Sequence, residues 1–417
     1  MGLWRHAEFV KLWAGQAVST LGSFVTVLAL GLTGAAVLHA SPLELGVLGM
    51  LQSLPFLLFG LPAGVWVDRT RRKPLLIGAD IGRAVLLASV PAAAMLGRLS
   101  MAQLYVVGFG VGSLNVIFNV AYGSFLPSVV ERSDLQEGNA KLALGEAIAR
   151  VSGPGLAGVL VQVLTAPVAI AADAVSFVLS AVSLVAIRVA ETAPVASNKV
   201  DMRAEIGEGV AAVVHNTVLR PLLIGSNMGN LGDGVLFGSN VALLFMSRDL
   251  GFEPVTIGTV LSGLGIGGLI GAAVAGPLTK SLGPGLTIAG SLAIWALGFG
   301  GLALVYESAS APLAAAVLMG LVGTINPIAG ANVSTLRQAL TPDRLLGRVT
   351  AVVRVATWGS IAVGALVGGV LAEAVGVRQT VLLSGVLPLI GFVWVALSPV
   401  RGLRRLDFAS PPCSDDS

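Results

Sequence analysis

A few ionisable side chains lie inside long apolar stretches: Asp80 and Arg83, Glu146 and Arg150, Asp173, Asp233, and Arg354. In hydrocarbon each would cost roughly 2.5–3.5 kcal/mol, so each must face protein or water rather than lipid. Asp80 and Arg83 are one helical turn apart, as are Glu146 and Arg150, so each pair can meet on one helix face. Asp233 stands among Asn227, Asn230 and Asn240, a polar stripe of the kind that lines a wet cavity. A carboxylate there can take up and release a proton, or hold a cationic substrate. Glu146, Arg150, Asp233 and Asp173 are therefore the candidates for proton or substrate handling. Asp80 lies about 9 Å along its helix from a charged loop, and Asp80, Arg83 and Arg354 read as mainly structural. Gln16, Asn119 and Asn230, with Asn115, Asn326 and Asn332, could line the same cavity or tie helices together.

Other chemistries lack their residues. His6, His39 and His215 are far apart and Cys413 is alone in a polar tail, so no metal-ligand spacing and no disulfide framework appear. No nucleophile, base and orienting group cluster as an enzyme would need. Neither the central polar stretch nor the tail carries a phosphate-binding loop. The expectation is a protein without cofactor or metal that is not an enzyme, and that draws energy from an ion gradient or from its substrate's own.

The elements that position these residues must sit in lipid. The chain is 417 residues long, 55% hydrophobic and only 11% charged, with a mean hydropathy of +0.89; soluble domains carry about 25% charged residues. The first apolar stretch, Phe9 to Leu38, is longer than the apolar core of about 7–15 residues in a cleaved signal peptide and reads as the first span. With about 20 apolar residues needed per span, twelve helical spans fit: 10–37, 43–67, 74–96, 101–126, 140–164 and 167–188, then 219–246, 254–279, 284–306, 311–336, 348–372 and 378–398. The fold class is an all-α polytopic membrane protein. The 54 glycines fall inside these runs, where small residues let helices approach closely.

The spans divide into halves 1–188 and 219–398, a linker 189–218 and a tail 399–417. In the linker, apolar residues recur at three and four from Val200 to Val214, which predicts a short interfacial helix. Alternate loops hold Arg5, Lys11, Arg69 to Lys73, Arg132, Lys141, Arg337, Arg344 and Arg348, whereas the opposite face has only Arg98, Arg248 and Arg378. This bias puts both termini and the linker in the cytoplasm. The net charge of +3 thus reports topology, and no nucleic-acid patch is present.

The loop from Gly64 to Leu76 reads GVWVDRTRRKPLL. It resembles the signature of the major facilitator superfamily: Gly, three residues, Asp-Arg, two residues and a basic pair. Gly64, Asp68, Arg69, Arg72 and Lys73 match, and Arg71 stands where Gly is usual. The resemblance implies a conformational latch that holds the outward-open state, and a substrate site between two parallel halves. Gly276, Lys280 and Gly283 keep a degraded copy without the Asp. Gly153-Pro154-Gly155-Leu156-Ala157-Gly158 resembles the Gly-Pro helix of that superfamily's exporters. The first half as a whole looks like the branch of the enterobactin exporter and the macrolide-efflux proteins. That implies a proton antiporter in a bacterial-type inner membrane, surrounded by lipid, that exports amphipathic small molecules such as drugs, antibiotics or siderophores. The fold works as a monomer. The superfamily's Arg in span four is missing, since Met101 to Val130 has no basic residue. The alternative is a proton-coupled importer of a sugar or other metabolite.

Overall fold

The computed structural model describes residues 2–189, 191 and 202–403, and among these it is helical without strands. The first half holds α1 (Ala7–Leu32, prolonged by a wide turn, Thr33–Val37), α2 (Pro42–Asp68), α3 (Arg72–Met95), α4 (Met101–Gly123), α5 (Leu135–Leu164) and α6 (Ala166–Ala186). The linker forms a helix, Met202–Val214. The second half holds α7 (Leu219–Asp233), α8 (Pro254–Leu282), α9 (Pro284–Leu302), α10 (Ala311–Gly323 with Ile325–Leu340), α11 (Asp343–Val375) and α12 (Val377–Ala396). Eleven of these segments are long and apolar enough to cross a membrane. The twelfth, α7 and its continuation to Asp249, is interrupted.

Local sequence explains the ends. Ser41 and Glu44 cap each other's backbone at the start of α2, with Pro42 in the first turn. Single residues join α5 to α6, α8 to α9 and α11 to α12, namely Thr165 (φ 72°), Gly283 (φ 80°) and Gly376 (φ 99°). Glycine adopts such angles freely, whereas Thr165 pays for its side chain.

Two spans depart from the sequence expectation of continuous helices. The span 219–246 ends as regular helix at Asp233, passes through a wide turn at Gly234–Gly238, reverses locally at Asn240 (φ 62°) and resumes at Val241–Leu244. Gly234 packs on the backbone of α11 at Ile361 and Gly364, and contact of this kind reshapes the helix. The polar stripe is thereby split, because Asn240 leaves the face that carries Asn230 and Asp233. The span 311–336 breaks at Thr324. There Pro327 supplies no N–H and its ring crowds the carbonyl four residues back. Helices α5 and α11 also start earlier than expected, at Leu135 and Asp343.

The halves repeat one packing scheme. In the first, α6 lies against α1 and α3, α2 against α4, and α1 against α5; in the second, α12 lies against α7 and α9, α8 against α10, and α7 against α11. The halves meet through α2 with α11 and through α5 with α8, which are equivalent contacts under the same repeat. Val175, Leu179 and Val182 of α6 are exposed, as suits a face covered by lipid rather than protein.

Candidate functional site: a cavity between the halves

Two seams join the halves from the end opposite the basic loops. Along α2 and α11, a β-carbon on Gly46 would lie 2.7 Å from Gly369 Cα and 2.8 Å from Ala365 O. Further in, Phe56 stacks on Trp358 with ring centroids 4.0 Å apart. Along α5 and α8, Gly158 faces the backbone of Pro254 and Val255, and Gly258 faces the Pro154 carbonyl. The Gly155 N–H donates to Ser262 Oγ at 3.1 Å. A β-carbon on Gly265 would lie 2.5 Å from Arg150 O. Gly153 instead accommodates the Phe24 ring of α1. The Gly-Pro stretch thus serves two contacts, with Gly155 and Gly158 on the seam and Gly153 inside its own half.

Polar bonds close the far end. Gln162 donates to Glu253 at 2.9 Å and accepts from the Val255 N–H at 3.1 Å. Arg248 donates to Ala35 O and Ala40 O, both at 3.3 Å. Glu373 accepts from the Leu43 N–H at 3.4 Å and Asn240 donates to Leu45 O at 3.4 Å.

Towards the basic end the helices part. β-Carbons at Gly60, Gly64, Gly276 and Gly347 would meet nothing within 4 Å. Arg69 is the exposed C-cap of α2. The Arg72 and Lys73 N–H groups donate to the Glu191 carboxylate at 2.6 and 2.7 Å, and Lys73 Nζ donates to Ile187 O at 2.6 Å. The basic loop is therefore tied to its own half. Asp68 ends α2, and its side chain lies outside the described residues.

The opening is a cavity of about 550 Å³ in the first half, lined by Gln16, Ser19, Thr20, Ser23, Arg83, Asn115, Asn119, Tyr122, Asn139 and Glu146 among others. A smaller hollow of about 190 Å³ in the second half is lined mostly by apolar side chains, including Leu222, Ile288, Leu292, Val333 and Val353, with Asn230, Trp295, Asn326 and Arg337. Gln16, Asn115 and Asn119 thus line the first hollow, and Asn230 and Asn326 the second. Asn332 is buried and ties α10 to Thr279 of α8 at 2.9 Å.

The ionisable residues separate by surroundings. Glu146 accepts from Arg150 at 2.6 Å, and both side chains are more than half exposed. Asp233 is half-buried and has no hydrogen bond or ion pair among the described residues. Asp173 is buried and accepts from Thr26 Oγ1 at 2.5 Å and Ser176 Oγ at 2.8 Å. Asp80 and Arg83, which read from the sequence as mainly structural, form a buried ion pair whose guanidinium reaches the cavity. Arg83 donates to Asn115 of α4 at 2.7 Å and lies between the Phe118 and Phe177 rings, 4.2 and 4.1 Å from their centroids. A cation therefore reaches α4 although α4 has none of its own. Arg354 is exposed on α11. Sequence reasoning also missed Arg248 and the Phe56–Trp358 stack. The only trace of that seam in the sequence is the glycine spacing on α2 and α11. Among the described residues no group of His, Cys, Asp and Glu could hold a metal ion.

Two six-helix halves, closed at one end around a polar cavity open at the other, define a transporter of the major facilitator fold. The chain belongs to the transmembrane secretion effector family, whose pattern it matches over residues 2–412. It is 27% identical to the multidrug efflux pump Tap of Mycolicibacterium fortuitum over 90% of this chain and 91% of that protein. It is 25% identical to macrolide efflux protein A of Streptococcus pyogenes over 96% and 97%. Among solved structures, a bacterial homologue of the iron transporter ferroportin in an inward-facing state superimposes with a TM-score of 0.75 at 16% identity, over 95% of this chain and 98% of that one. The protein is a multi-pass membrane transporter with bacterial relatives.

Proposed function

We propose that the protein is a secondary active exporter of amphipathic small molecules, working by alternating access and proton antiport in a bacterial inner membrane. The bias of Lys and Arg supports cytoplasmic termini and a cytoplasmic linker. On that orientation the cavity opens to the cytoplasm, and the far-end seams close it from outside. The observation that carries the reading is a pair of hollows, one in the first half lined by many polar side chains and one in the second lined mostly by apolar ones. A molecule with a polar head and an apolar body matches the two hollows, and it would load from the cytoplasm against a glycine seal. Efflux proteins among the full-length relatives support export over the importer alternative.

In this reading the units 1–188 and 219–398 rock against each other as a monomer, with residues 189–218 as the tether. The α2–α11 register supports the latch. Gly46 lies against Gly369 and Phe56 against Trp358. Continued to the basic end, that register brings Asp68 level with Gly347, near the start of α11. A carboxylate there meets the positive end of the helix dipole once the basic end closes. Glu146, at the cavity wall, and Asp233, without a partner, handle protons or a cationic group of the substrate.

The test is accumulation of a macrolide, a tetracycline and a catecholate siderophore in cells that express the chain. Export predicts lowered accumulation of at least one compound, restored by an uncoupler. Raised accumulation, or lowering that an uncoupler leaves intact, would overturn proton-driven export.

A further inference from the structure

Asp80, Arg83 and Asp173 are buried together in the first half, at 0%, 4% and 1% exposure. Arg83 is paired with Asp80. Asp173 lies outside ion-pair distance of Arg83. Phe177, one turn along α6 from Asp173, stacks on the guanidinium. The other groups around Asp173 are neutral: Thr26 from α1 and Ser176 from α6 donate to it, and Asn115 of α4 accepts from Arg83. Helix α4 carries no charged residue and α6 carries only Asp173. The charges of α1, Glu8 and Lys11, pair with each other in its first turns, and Glu146 on α5 is paired with Arg150. Two buried carboxylates therefore stand near one guanidinium that is bonded to Asp80 alone, which leaves one negative charge uncompensated. Such a charge is expensive to keep. One carboxylate oxygen, Asp80 Oδ2, is buried without a hydrogen-bond partner.

A route to the cluster exists. Arg83, Asn115 and Ser23 line the large cavity, and Asn115 and Ser23 also line a hollow of about 140 Å³ that contains Asp173. That hollow continues towards the far end past Leu30, Leu87 and Val107. Asp80 lies nearer the basic end of α3, and Asp173 nearer the far end of α6.

We infer that Asp80, Arg83 and Asp173 form a binding site for one proton, shared by the two carboxylates and counted by the guanidinium. The proton comes from water in the cavity and returns to water. No bond other than the carboxyl O–H is made or broken. The site exchanges with water of the large cavity past Arg83 and Asn115, and with the far side by way of the Asp173 hollow when the far seams open. It deepens the proton-antiport reading and rests on it for its role, although the bound proton itself can be seen without any substrate.

The experiment is infrared difference spectroscopy between acid and alkaline pH on the full chain in lipid nanodiscs. The wild-type chain shows a buried protonated-carboxyl band. Asp80→Asn and Asp173→Asn each leave one carboxylate for one guanidinium, so the band falls to background in both. Arg83→Gln leaves two carboxylates without a cation, and the band doubles. Each comparison is repeated in a Glu146→Gln, Asp233→Asn background, so that the two carboxyls assigned to proton or substrate handling add nothing to the band. Absence of the band in the wild type, its persistence in both Asn variants, or an unchanged intensity in folded Arg83→Gln overturns the proposal. Because no substrate is present, these outcomes stand apart from a failure of the accumulation assay, which would sink the exporter reading alone.

Discussion

Replacing Gly258 by alanine adds one methyl group at the tightest point of the α5–α8 seam. That β-carbon would meet the Pro154 carbonyl oxygen and lie 3.1 Å from both Cα and N of Gly158. These are backbone atoms, so no side chain can swing away. Overpacking of this kind costs about 1–3 kcal/mol. The cost falls only on the state in which the far end is closed, because the methyl group meets open space once α5 and α8 part. The ratio of the two states then shifts by the same energy, about 5- to 150-fold towards the outward-open form. Cross-linking reads the shift. In a Cys413→Ser background, cysteines replace Gly64 and Gly347, which face open space at the separated basic end. A short bifunctional maleimide then joins α2 to α11 faster in Gly258→Ala than in its parent. Gly276→Ala is the control, since its β-carbon would touch nothing. Equal cross-linking rates in Gly258→Ala and the parent, with both chains folded, would refute the reasoning that this seam closes only one state.

Asp68→Asn should lower efflux more than it lowers the amount of protein in the membrane, as immunoblots beside transport assays would read. Arg248→Ala removes two charge-assisted bonds across the far end, each worth about 1.5–3 kcal/mol, and should raise labelling of far-side cysteines by an impermeant thiol reagent. Glu146→Gln or Asp233→Asn should make efflux insensitive to an imposed pH gradient in proteoliposomes; wild-type pH dependence in both would exclude these residues from coupling. Thr165→Gly should relieve a backbone conformation that costs an order of 1–3 kcal/mol for any other residue, and should raise the melting temperature in detergent.

The sequence makes the span count, the basic face and the glycine-rich stretch of α5 legible because lipid imposes them on composition. Its continuous α7 and α10 fail for different reasons. Pro327 carries a local signal for the break at Thr324, whereas the distortion at Gly234–Gly238 depends on contact with α11. No periodicity within one helix can report a contact with another. The ionisable residues show the same limit. Their cost in lipid singles them out, but depth along one helix does not say what they face. Asp80 and Arg83 looked shallow on α3. Packing of α4 and α6 on α3 turns that position into a buried site beside the cavity, with Phe118 and Phe177 around the guanidinium. The absence of an arginine from α4 is thus answered in three dimensions, since Arg83 reaches Asn115 from the neighbouring helix. A motif tied to one helix cannot register a cation delivered by another. Charge balance over a packed cluster can, and it is that balance, rather than any motif, that singles out Asp173.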